Sequence, residues 1–225
     1  MTKEEEIAFR EERRKGIGGS DFDDLLEITQ YGCQLKLWYS KTGVDPDYKR
    51  NQMPLKRGKR LEPIARAYLA EKLGEEITEH NGPIIAEGKP WRRVNLDGTI
   101  CSGSTAVELK TLGMHSFSRI KAHGLPKQYI CQLQWGIGLL SAINGVYGIY
   151  QPDTDQLIYF EVAFDIDLYN SLGDKVDKWW QDHIVQGIKP MPSWGESIGD
   201  ACYNCEYRKS CRGLNSNGSL SEEKF

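Results

Sequence analysis

A chain of 225 residues, 39% hydrophobic and 27% charged with a net charge of −3, is too apolar to be wholly disordered. It is long enough to bury roughly 70% of its surface in one full-sized domain without covalent staples. The charge balance excludes a histone-like basic coat and leaves room for a local basic patch. No apolar run approaches the ~20 residues of a membrane span. Residues 1–15 are a charged run with no apolar core, unlike a signal peptide. The expectation is a cytoplasmic protein without a membrane partner, where structural disulfides are rare, so the six cysteines require another explanation.

In chain order, residues 3–14 predict a charged helix. Gly-Ile-Gly-Gly at 16–19 is a turn, and Ser20 stands as an N-cap with Asp23 in weak capping-box spacing, opening a short helix over 21–27. A second helix is expected over 34–41, stopped by Thr42-Gly43. Residues 44–54 read as a loop, and a strong helix follows over 56–73 with Gly74 as its cap. Segments 76–80, 82–87, 91–96 and 105–111 predict strands broken by Gly, Pro and Asn. Pro126 opens a helix to about residue 143. Segments 146–151 and 156–164 form a hairpin around Pro152-Asp153, and 167–186 is helical. A Gly-, Pro- and Ser-rich linker over 187–201 leads to Cys202 and a polar tail. There is no internal repeat. The order predicts an α/β fold, a mixed sheet flanked by helices, with a principal domain over 1–190 and a cysteine-bearing tail over 191–225 that packs on it.

Three acidic features stand in one order: Glu62 on a helix, Asp97 at a strand end, and Glu108-Leu109-Lys110 on the next strand. Side chains alternate along a strand, so Glu108 and Lys110 share one face while Val107 and Leu109 take the other. Glu62 shares a helix face with Ala65 and Leu69, an unfavourable place for a carboxylate without a cation. Two carboxylates and a carbonyl make a hard oxygen site suited to Mg²⁺ or Mn²⁺, and Lys110 beside it could orient a water. A surface Glu-x-Lys pair is the simpler reading of Glu108 and Lys110 taken alone.

Gly-Ile-Gly-Gly-Ser-Asp (16–21), Lys-Arg-Gly-Lys-Arg-Leu-Glu-Pro (56–63), Asn-Leu-Asp-Gly (95–98), Glu-Leu-Lys-Thr (108–111) and Tyr-Ile-Cys-Gln-Leu-Gln (129–134) occur in this order. Together they resemble the phage-type alkaline exonucleases of the YqaJ and lambda exonuclease group, within the PD-(D/E)XK nuclease superfamily. The resemblance covers residues 10–185 and implies a restriction-endonuclease-like core. The implied activity is metal-dependent DNA exonuclease, typically 5′-to-3′ on duplex ends and leaving 5′-phosphates. By motif, Asp97, Glu108 and the Leu109 carbonyl would hold the metal, Glu62 a second one directly or through water, and Lys110 would activate or position water. Tyr129 and Gln132 fall at i and i+3 on one helix face. Gln134 lies about 200° from Gln132 around the helix, so at most one of the two glutamines points inward, and Gln132 is the choice. Arg14 and Ser20 match the region that holds a 5′-phosphate in these enzymes, and a Gly-rich turn into a helix suits a phosphate. Ordinary capping by Ser20 stays open. Lys49, Arg50, Lys56, Arg57, Lys59 and Arg60 place six positive charges in twelve residues, a patch that could follow a DNA backbone, with a solvated face as the alternative. A single-strand annealing protein is the partner that the resemblance implies.

Cys202-x2-Cys205-x5-Cys211 is compact, and Cys33 is the best fourth member. The arrangement is similar to iron–sulfur nucleases related to Cas4 and AddB, with one cysteine before the nuclease core and three after it. That resemblance favours a [4Fe–4S] cluster over zinc, although thiolates suit both. Cys101 and Cys131 read as buried thiols, and His183 as a helix residue. Lambda-type enzymes lack the cysteine set, so their ring-shaped trimer does not carry over. Alternative readings are a Cas4-like nuclease trimming single-stranded ends, a non-catalytic DNA-binding module, and a zinc-tailed binding protein.

Overall fold

The computed structural model describes residues 3–47, 53–80, 82–193 and 200–212. The chain divides into two compact units: Met1–Ile17, Asp21–Asn51 and Val176–Phe225 in one, Gly18–Ser20 and Gln52–Lys175 in the other.

The first unit opens with α1 (Lys3–Arg14), α2 (Phe22–Leu26) and α3 (Gln34–Thr42). Asp21, buried, accepts from Arg13 at 2.8 Å and from the Lys41 ammonium at 2.6 Å, tying α1 to α3. Ser20 is not the cap of α2. It lies in a single 3-10 turn, Gly19–Asp21, and α2 begins after Asp21, which makes no side-chain cap bond.

The second unit carries α4 (Met53–Leu73), a two-stranded antiparallel ribbon β1 (Ile84–Ala86) and β2 (Lys89–Val94), then β3 (Gly98–Ile100), β4 (Thr105–Thr111), α5 (Met114–His123), α6 (Lys127–Leu140), β5 (Asn144–Gln151), β6 (Gln156–Ala163) and most of α7 (Ile166–Trp179). The main sheet runs β3-β4-β5-β6. Only β4 and β5 pair in parallel, and the other two pairings are antiparallel. The expected mixed sheet flanked by helices is therefore present. α5 and α6 supply the crossover that a parallel pair needs.

Strand parity sorts the sheet's two faces. Val107, Leu109, Val146 and Tyr150 pack with Ala65 and Leu69 of α4 in one buried cluster. The opposite parity, Glu108 and its neighbour Tyr147, faces Gln132 of α6. Several expectations need correction. Segment 76–80 is not a strand; it contributes one bridge, Thr78 to Thr99. β3 and α5 have too few periodic apolar residues to be read from sequence, since α5 buries only Phe117 and Ile120. α6 stops at Leu140, where Ser141 turns left-handed at φ 59°. The expected helix over 167–186 is α7 followed by a π-helical turn, Trp180–Val185.

Gly138 on α6 lies against the Tyr169 ring, where an added Cβ would come within 2.2 Å. That ring is held by Trp135 and Phe164, at centroid distances of 5.6 and 5.7 Å. Gly138→Val should destabilise the protein by about 1–3 kcal/mol through overpacking. In a chain of this size that lowers Tm by roughly 2–12 °C, readable by calorimetry.

The chain then returns to the first unit with α8 (Asp200–Tyr203) and α9 (Arg208–Arg212). Tyr207 stacks on Tyr39 of α3 at 5.2 Å, inside a small core with Leu35. Asp47 accepts from the backbone N–H of Lys209 and Ser210 at 2.6 and 2.9 Å. A distant carboxylate thus does for α9 what an N-cap does locally. Among the described residues no helix is long and apolar enough to cross a membrane.

Candidate active site

Asp97 follows β2 and precedes β3. Its N–H donates to the Val107 carbonyl, and its Oδ2 accepts from the Leu109 N–H at 2.7 Å. The aspartate is thereby pinned beside β4. Glu108, on the same strand, is 2% exposed. Its Oε2 accepts from Gln132 Nε2 at 2.7 Å, and its Oε1 is buried with no hydrogen-bond partner. Tyr147 donates to Gln132 Oε1 at 3.3 Å, which sets the amide so that its nitrogen faces Glu108. Tyr129 stacks flat on Tyr147 with centroids 5.0 Å apart. Gln134 points elsewhere, donating to the Ala163 carbonyl and accepting from the Asp165 N–H.

Glu62 stands one turn before Arg66 on α4 and accepts from it at 2.7 Å. Arg66 also donates to the Asp97 carbonyl at 3.2 Å and pairs with Glu79. Sequence reasoning missed this arginine, although Glu62 and Arg66 have the i,i+4 spacing of a helical ion pair. It also missed Tyr147 and the role of Gly19. A Cβ on Gly19 would fall 2.8 Å from Gln132 Cγ and 3.3 Å from its carbonyl. Only glycine lets this segment approach the backbone of the residue that holds Glu108.

The electrostatics of the three carboxyls agree. Burial pushes Glu108 well above the ordinary glutamate range, and the charge of Asp97 adds to it; Lys110 opposes both and is outweighed. Burial raises Asp97 against the pull of the Leu109 N–H, Lys110 and Arg66. Burial also raises Glu62, with Asp97 next, partly offset by Arg66. Three carboxyls that repel one another in a desolvated place are short of positive charge. The donor set fits a hard divalent cation: carboxylate oxygens, with one buried oxygen free of protein donors. Among the described residues, no group of three or more His, Cys, Asp or Glu side chains is placed to hold a metal ion.

The expected DNA contacts are dispersed. Lys56, Arg57, Lys59 and Arg60 line the exposed first half of α4, and Arg57 pairs with Asp153 at 2.7 Å on the surface. Lys49 and Arg50 lie outside the described residues. Ser20 is exposed and belongs to the second unit. Arg14 belongs to the first, its guanidinium about 3.3 Å from where a Cβ on Gly43 would stand.

Within the first unit, Cys33, Cys202, Cys205 and Cys211 line one cavity of about 340 Å³. Burial pushes the Cys205 thiol up to about 11 and also raises Cys211; Cys33 and Cys211 add to the first, Cys33 and Cys202 to the second. Cys131 is buried as expected, but Cys101 is exposed at the turn between β3 and β4. His183 contacts the Ile188 carbonyl through Nδ1 and is part of the π-helical turn.

A profile of the YqaJ-like viral recombinase domain matches residues 8–139, a span that holds Glu62, Asp97, Glu108, Lys110 and Gln132. The chain belongs to that family. An uncharacterised YqaJ protein of Bacillus subtilis (strain 168) is 24% identical over 180 residues, 80% of this chain and 56% of that protein. The chain thus spans little more than half the length of this curated relative. The fold of the family domain is that of an alkaline exonuclease (LHK-Exo) from Laribacter hongkongensis: TM-score 0.66, 21% identity, covering 81% of this chain and 93% of that one. LHK-Exo has also been solved in complex with dAMP, with 22% identity and the same coverage. A phage-related exonuclease from Haemophilus somnus 129PT is more distant, with TM-score 0.51 and 12% identity over 68% of this chain and 81% of that one.

Proposed function

We propose that the chain is a metal-dependent DNA exonuclease of phage-type recombination. It hydrolyses phosphodiester bonds from the 5′ strand of duplex ends and leaves 5′-phosphates. The observation that carries this reading is the buried Glu108, with Oε2 held by Gln132 and Oε1 left open, beside Asp97 and Lys110. Binding alone does not require such a carboxylate. The description of structural relatives as exonucleases, one of them with bound dAMP, supports DNA as the substrate.

Glu108, Asp97 and the Leu109 carbonyl would hold Mg²⁺ or Mn²⁺, with Glu62 serving a second ion. Bound there, the metal supplies Lewis acidity at the phosphate and lowers the pKa of water. The chain's own residues do the rest. Gln132 and Tyr147 fix the Glu108 carboxylate, Arg66 keeps Glu62 and Asp97 in register, and Lys110 orients the attacking water and steadies charge on the phosphate. Tyr129, Arg14 and Ser20 contact DNA, and Arg57 and Arg60 follow its backbone. Arg57 exchanges Asp153 for phosphate at little expense, because exposed ion pairs are weak. A single-strand annealing protein receives the strand that is left, in the cytoplasm of the host.

The four cysteines hold a metal–thiolate centre, a [4Fe–4S] cluster in preference to zinc. The preference for the cluster rests on the order of the cysteines, one before the nuclease core and three after it, since thiolates suit both centres. Burial favours the protonated thiol at Cys205 and Cys211, so loading these two would release protons. The centre staples residues 202–211 to α3.

The test is cleavage of duplex DNA labelled separately at each end, by anaerobically purified protein with Mg²⁺ or EDTA. Release of 5′ mononucleotides with Mg²⁺ and none with EDTA is expected. Folded protein that cleaves neither duplex nor single strands would sink the reading. Attack only on single strands would favour end trimming.

A further inference from the structure

The cysteine cavity is bordered by three cations as well as by thiols: Lys36, Arg208 and Arg212. Two of them are committed elsewhere. Lys36 pairs with Asp24 at 2.6 Å and donates to the Tyr31 carbonyl at 2.9 Å, and Arg208 donates to the Tyr203 carbonyl. Arg212 differs: its Nε and Nη2 are both buried and have no acceptor among the described residues. These two atoms form the side edge of the guanidinium, where two N–H bonds run parallel and match a pair of acceptors. A guanidinium cannot discard its proton to escape burial, so two unmatched N–H groups are a standing penalty unless an acceptor meets them.

An acceptor of the right charge would come from the neighbouring residues. Four cysteine thiolates around zinc or around an iron–sulfur core make an anionic centre, and low dielectric strengthens its attraction for a nearby cation. We propose that the side edge of Arg212 donates two hydrogen bonds to sulfur of the metal–thiolate centre held by Cys33, Cys202, Cys205 and Cys211, and offsets its negative charge. The proposal rests on the reading that these cysteines bind metal. Arg212 is a positioning residue; the metal is held by sulfur alone.

The experiment compares the full chain with its Arg212→Gln and Arg212→Lys variants, purified anaerobically. Iron, acid-labile sulfide and zinc are quantified, the loaded proteins are challenged with EDTA, and melting is recorded before and after metal removal. Arg212→Gln should surrender its metal 10–100-fold more readily than the parent, the usual consequence of removing an outer-sphere partner. Arg212→Lys should fall between, because it keeps the charge and loses the paired geometry. Without metal, Arg212→Gln should melt no lower than the parent, because it no longer buries an unmatched cation. A merely structural arginine would give the opposite pattern, lower melting without metal and unchanged metal retention, and would overturn the proposal. Parent protein free of iron and zinc after anaerobic purification and reconstitution would instead remove the metal reading itself, and this inference with it.

Discussion

Glu108→Gln should lower DNA cleavage by roughly 10³-fold or more while making the metal-free protein more stable. The two effects share one origin. Glu108 is buried, repelled by Asp97, and given a single protein donor, so its carboxyl stays protonated well above the ordinary value of 4.5. Glutamine keeps the bond from Gln132 and removes the charge that folding must desolvate. A carboxyl whose pKa is raised by folding stabilises the chain at low pH and loses that contribution as pH rises from about 4.5 through the folded value. Asp97 and Glu62 are raised in the same direction. In EDTA, therefore, the Tm of the parent should fall as pH rises from 4.5 toward 8, and fall less in Glu108→Gln. Millimolar Mg²⁺ or Mn²⁺ should raise the parent's Tm at the upper end of that range, and the variant's much less. A variant that still cleaves at the parental rate would remove Glu108 from the chemistry.

Lys110→Ala should reduce cleavage by roughly 10²–10³-fold and leave affinity for duplex DNA within a few fold. Lys110 shares the Glu108 face of β4 and pulls the Asp97 and Glu108 carboxyls down against burial. Without it, both move further up, so the acid limb of the pH–rate profile should shift to higher pH. The salt dependence of DNA binding should not change, because that slope counts phosphate contacts, and Lys110 is assigned to water and to the scissile group. An unshifted profile with weakened binding would make Lys110 a backbone contact instead.

The parts of the site carried by local pattern are legible in the sequence. Alternation alone placed Val107 and Leu109 in the core and Glu108 on the other face. Helical angle separated Gln132 from Gln134, and the structure gives the second a purely architectural task at the end of β6. The missing parts are contacts between residues remote in sequence. Tyr147 reaches Gln132 because β5 lies beside β4 in parallel, and a parallel register is not written in either strand. Gly19 matters through what it leaves room for, and a glycine in a turn-like sequence carries no mark of that. Arg66 was legible as a helical pair with Glu62, but its bond to the Asp97 carbonyl depends on packing. The short β3 and the weakly apolar α5 gave no period to read.

The first unit is assembled from chain segments that flank the second, with residues 52–175 made in between. A ribosome adding ~5–20 residues per second exposes Cys33 roughly 8–34 s before Cys202 follows it. During that interval the N-terminal helices have neither Tyr207 to stack on Tyr39 nor the α9 backbone for Asp47 to hold. The second unit has its own sheet and core, and its last strand is made before any of residues 176–225. Synthesis is therefore ordered: the segments that carry Glu62, Asp97 and Glu108 are complete before the last three cysteines of the cavity emerge.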